Sequence, residues 1–68
     1  MTIQHFNGLN QAQRLETIWN MGNFLTKLSD GNYNYELYSM ENFLIELVSE
    51  KNKPGSFSVR LKGASGNN

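Results

Sequence analysis

Residues 33–49, YNYELYSMENFLIELVS, constrain the fold more than any other part of the chain. Two runs rich in aromatic and branched side chains flank a single polar break at Glu41-Asn42. Runs of this composition on either side of a short polar pair form a β-hairpin. Asparagine tolerates the left-handed backbone of a tight turn, so Glu41-Asn42 serves as a two-residue loop, although it is a weaker signal than Asn-Gly. That loop sets Met40 opposite Phe43, Tyr38 opposite Ile45 and Glu36 opposite Leu47. One face then carries Tyr38, Met40, Phe43, Ile45 and Leu47, and the other carries Tyr33, Tyr35, Leu37, Leu44 and Val48, with Glu46 among them. A one-residue slip would exchange the faces, yet under either register both faces hold apolar groups.

Sixty-eight residues make one domain with a thin core. Domains this small often add a disulfide, a metal or a partner chain. The chain has no cysteine and one histidine, His5, which removes disulfides, thiolate metal sites and histidine-rich metal sites. Self-association or a partner protein is the staple left open. Six basic residues balance six acidic ones, so the cationic excess of a phosphate binder is missing. The N-terminal residues lack the pattern of a secretory signal. No run approaches the ~20 apolar residues of a membrane span. A cytoplasmic location fits these features.

Before the hairpin, Ile3, Phe6 and Leu9 stand among polar neighbours in a segment that either docks on the body or frays. Gly8 interrupts any continuous helix there. Asn10, with Gln13 three residues on, reads as a helix N-cap and a variant capping box. Ala12, Leu15, Ile18, Trp19 and Gly22 then fall on one stripe of roughly 120°. The spacing predicts a helix over residues 11–21, ended by Gly22 in a left-handed conformation. Trp19 is the largest apolar group on the stripe, and its company with Leu15 and Ile18 favours a core role over ligand stacking.

Residues 23–28 read as a short strand in which Phe24, Thr26 and Leu28 alternate with Leu25 and Lys27. The same run also fits one or two more helical turns, because periodicity does not separate the two over six residues. Asp30-Gly31 marks a turn, and Pro54-Gly55 marks a loop. Residues 56–62, SFSVRLK, place Phe57, Val59 and Leu61 on one side and Ser58, Arg60 and Lys62 on the other, as in a half-buried edge strand whose charges discourage aggregation. The expected fold is α+β: one N-terminal helix packed on a four-stranded antiparallel β-meander. It forms a single domain over residues 1–62, with a disordered tail over residues 63–68. The expected covered face holds Phe43, Ile45, Leu47, Phe57, Val59, Leu61 and the helix stripe.

Residues 37–50, LYSMENFLIELVSE, resemble the hairpin of small uncharacterised bacterial proteins that carry a short helix followed by a β-meander. Leu37, Tyr38, Phe43, Ile45, Glu46 and Leu47 fit that pattern, and the helix with Leu15 and Trp19 lies where it would want one. The resemblance covers residues 12–50. It implies the fold already reached, and it implies no activity.

No nucleotide-binding glycine signature is present. His5 has no local nucleophile or carboxylate partner for catalysis. The carboxylates Glu36 and Glu46 point to opposite faces in the favoured register, so they form no acid–base pair. Neither an enzymatic activity nor a cofactor is expected. An exposed apolar face marks an interaction surface, and tyrosine suits such surfaces. The expected function is therefore a non-enzymatic protein-interaction module, homodimeric through Tyr33, Tyr35, Leu37, Leu44 and Val48. A small inhibitor or adaptor receiving another protein on that face is a variant of this reading. The alternative is a nucleic-acid-associated regulator, in which Lys51, Lys53, Arg60 and Lys62 make contacts beside the sheet tyrosines.

Overall fold

The computed structural model describes residues 2–53 and 55–64. Its elements run α1 (Ile3–Asn7), α2 (Gln11–Met21), β1 (Asn23–Ser29), β2 (Tyr33–Ser39), β3 (Phe43–Glu50) and β4 (Phe57–Ala64). The strands form one antiparallel sheet in the order β1-β2-β3-β4, so the fold is α+β with a four-stranded meander. Both helices supply side chains to the same core, formed by Phe6, Ile18, Met40, Phe43, Ile45 and Leu47.

The α2 helix begins as its sequence dictates. Asn10 Oδ1 accepts from the Gln13 backbone N–H at 2.9 Å, and Gln13 Oε1 accepts from the Asn10 N–H at 3.0 Å, completing the capping box. Its end departs from expectation. Gly22 is extended, with φ −81° and ψ 153°, a region open to any residue. Close approach explains the glycine instead: a Cβ there would lie 2.7 Å from the Ile18 carbonyl oxygen and 3.2 Å from Met40 Sδ. The helix therefore turns directly into β1 across one residue without a side chain.

A second helix, α1, occupies the segment that the sequence left open. Thr2 Oγ1 accepts from the His5 N–H at 3.0 Å at its start. Arg14 of α2 closes its end, with Nη2 donating to the Asn7 carbonyl at 2.8 Å and Nε to the Phe6 carbonyl at 3.3 Å. A cation is well placed there, because the last carbonyls of a helix lack partners and carry partial negative charge. The arrangement seats Phe6, only 2% exposed, against Phe43 with ring centroids 5.7 Å apart.

The hairpin has the expected register. Tyr38 pairs with Ile45 and Glu36 with Leu47, and the Met40 N–H donates to the Phe43 carbonyl at 2.8 Å across the Glu41-Asn42 loop. Phe43, Ile45 and Leu47 are buried as expected. Three other members of the expected core are not. Leu61 is 46% exposed, Trp19 is 55% exposed, and Ala12 is exposed. An eleven-residue helix is about 16 Å long and covers only part of the sheet. Trp19 lies at its margin, edge-on to Phe57 at 5.8 Å. Gly63 and Ala64 continue β4 beyond Lys62. Pro54 and the expected tail over residues 65–68 lie outside the described residues.

Candidate functional site: the open face of the sheet

The cross-strand pairing fixes what the second face presents. Leu28, Tyr35, Val48 and Ser58 form one row across all four strands. Thr26, Leu37, Glu46 and Arg60 form the next. Asn23, Ser39, Leu44 and Gly63 form a third, and Tyr33 lies opposite Glu50 at the far end. These side chains alternate with the buried Ile45 and Leu47, so they project away from both helices. Tyr33 is exposed, and Tyr35, Leu37, Leu44 and Val48 are half-buried. None of the four belongs to the helix-side core or its partly buried fringe. The five residues singled out from the sequence thus share one face.

Leu28 extends this face and is its most exposed apolar member, at 67%. The simple alternation read in β1 put Phe24 on the same side as Thr26 and Leu28. A bulge between Phe24 and Thr26 breaks that alternation and turns Phe24 to the helix side, where its ring meets Tyr38 edge-on at 5.6 Å. A bulge inserts one residue without a compositional mark, so only the β1–β2 register reveals it.

The end of the face near Tyr33 is held by Asp30. Its Oδ1 accepts from the Asn32 N–H at 2.9 Å and the Tyr33 N–H at 2.8 Å, and its Oδ2 accepts from the Tyr35 hydroxyl at 3.0 Å. The two backbone N–H groups, with lesser help from the Tyr35 hydroxyl and the Lys51 ammonium, hold the Asp30 carboxyl below its ordinary value. The Tyr35 hydroxyl is raised in turn, chiefly because it donates to Asp30. This turn fixes where both tyrosines stand. An open-sided hollow of about 260 Å³ lies beside it, between Tyr33, Val48 and Glu50 on one side and residues 55–58 on the other.

The basic residues do not form a free cationic strip. Lys51 Nζ donates to the Asp30 carbonyl. Lys53 lies 3.9 Å from Glu50, and Arg60 lies 3.9 Å from Glu46. Lys62 is exposed beside the β4 bulge between its pairings at Leu61 and Gly63. Glu36 and Glu46 lie on opposite faces, opposite Leu47 and Leu37. Glu36 accepts from the Tyr38 hydroxyl at 3.0 Å. His5 is exposed on α1. Among the described residues no group of three or more His, Cys, Asp or Glu side chains could hold a metal, and no helix is long and apolar enough to cross a membrane.

No family model, curated protein or solved structure matches the chain. The likeness of residues 12–50 to small helix-plus-meander proteins therefore assigns no family.

Proposed function

We propose that this chain is a non-enzymatic protein-interaction module that forms a homodimer through the open face of its sheet. The observation that carries this reading is the contiguous set of Leu28, Tyr35, Val48, Leu37, Leu44 and Tyr33 on a face that neither helix covers. Contiguous apolar surface on a small domain marks an interaction site. Size supports a second copy as the occupant. Four strands about 4.8 Å apart and seven residues long present roughly 450 Å² per copy, so two copies bury about 900 Å² of projected area, near the ~1,000 Å² of a stable interface. The balanced net charge adds no long-range repulsion between copies. A cytoplasmic setting suits a chain without cysteine.

Size-exclusion chromatography with light scattering over a wide concentration range tests the proposal. The expected result is a mass of two chains, reduced to one by Tyr35→Glu or Leu44→Lys with the far-ultraviolet circular dichroism unchanged. A wild-type chain that stays monomeric throughout overturns the homodimer. Unfolding of both variants overturns the assignment of this face as free surface. Peak absorbance that rises at 260 nm relative to 280 nm would replace the reading with nucleic-acid binding.

A further inference from the structure

The open face is not uniform, and its asymmetry says how a second copy would sit. On β1, β2 and β3 it carries Leu28, Tyr35, Leu37, Leu44 and Val48. On β4 it carries Ser58 and Arg60. The Arg60 side chain is 63% exposed beside Glu46, which is 17% exposed. The apolar part therefore lies toward the β1 edge and the charged part toward the β4 edge.

Resting on the homodimer reading above, we infer that the contact between two copies is centred on β1 and β2, with Leu28 as an anchor and the Glu46–Arg60 pair at the rim. Two arguments converge on this arrangement. The first is area. Leaving β1 out reduces the face to three strands, and two copies then bury about 700 Å², within the range of casual contacts. The second is charge. A two-fold axis over β4 would bring two guanidinium groups together and strip water from two ion pairs, and desolvating such pairs costs more than their attraction returns. An axis over β1 and β2 places apolar rows on one another and leaves each Arg60 at the margin, in water. It also covers Leu28, the most exposed large apolar side chain in the described chain, in keeping with the central, desolvated position of interface anchors.

The absence of native cysteine makes site-specific cross-linking direct. Leu28→Cys and Ser58→Cys occupy the two ends of one cross-strand row. Treated with a short bismaleimide, Leu28→Cys is expected to give a covalent dimer, and Ser58→Cys is expected to remain a single chain. Leu28→Lys is expected to weaken dimerisation by about tenfold or more, as loss of a central anchor does, with circular dichroism unchanged. A wild-type dimer that survives Leu28→Lys and cross-links through Ser58→Cys overturns the inference while leaving the homodimer standing. Equal cross-linking at both positions also overturns it. A monomeric wild-type chain overturns the homodimer itself.

Discussion

Replacing Phe6 with alanine tests the assignment of core and free face at its most sensitive point. The side chain is almost wholly buried and stacks on Phe43, so truncation opens a cavity between α1 and the sheet. An aromatic ring buries roughly 200 Å², which at about 25 cal/mol per Å² gives about 5 kcal/mol. The residual burial in a compact unfolded chain lowers this to about 3–4 kcal/mol, within the ~3–5 kcal/mol found for such truncations. A chain of 68 residues has a total stability of roughly 3–10 kcal/mol, so Phe6→Ala should remove a large share of it. Urea unfolding followed by Trp19 fluorescence and circular dichroism measures the loss. Phe24→Ala is the control, because that ring is 55% exposed at the sheet edge and its loss should cost about 1–2 kcal/mol. If Phe6→Ala costs less than about 1 kcal/mol, α1 is not part of the cooperative unit, and the core consists of α2 and the sheet alone.

Arg14→Ala should lower stability by about 1 kcal/mol through loss of the hydrogen bonds that close α1, read as a smaller urea midpoint shift than that of Phe6→Ala. Gly22→Ala should cost about 1–3 kcal/mol in the same assay, because the new methyl meets the Ile18 carbonyl and only Met40 can yield. The Asp30 carboxyl is depressed in the folded chain, so its contribution is present above the unfolded value of 3.8 and is lost as pH falls through the lower folded value. Thermal melts of wild type and Asp30→Asn should therefore differ most near neutrality and converge in acid below that value. A constant difference at every pH would contradict the Asp30 hydrogen bonding.

The hairpin register was legible because one polar break separates two apolar runs, and only one loop length places Met40 opposite Phe43. The start of α2 was legible because Asn10 and Gln13 act within four residues of chain. What stayed hidden depends on contacts between distant residues. Five residues are too few for α1 to show a periodicity, and the groups that hold it, Phe43 and Arg14, lie outside it. The exposure of Trp19 and Leu61 follows from where a short helix crosses a wider sheet, which no stripe on that helix encodes. Leu28 was recognised as a strand residue, but its place beside Tyr35 depends on the β1 bulge. The five face residues named from the sequence all lie within the hairpin whose register could be derived.

Apolar exposure alone does not select the open face, since Trp19, Met21, Phe24 and Leu61 are also exposed on the helix side. Contiguity selects it. Trp19 and Met21 are two residues apart on α2, about 200° around the helix axis, so they look in different directions. Phe24 lies at the β1 edge against Tyr38, and Leu61 lies on β4 at the opposite edge, with α2 and the core between them. No flat partner surface can meet all four. The open-face residues, in contrast, follow one another along cross-strand rows at the spacing of neighbouring strands, so one partner sheet can cover them together. A substitution on the helix side should accordingly leave association intact where an equivalent one at Leu44 abolishes it. Met21→Lys, read by light scattering beside Leu44→Lys, separates a contiguous interface from general apolar stickiness, because stickiness would be weakened equally by either change.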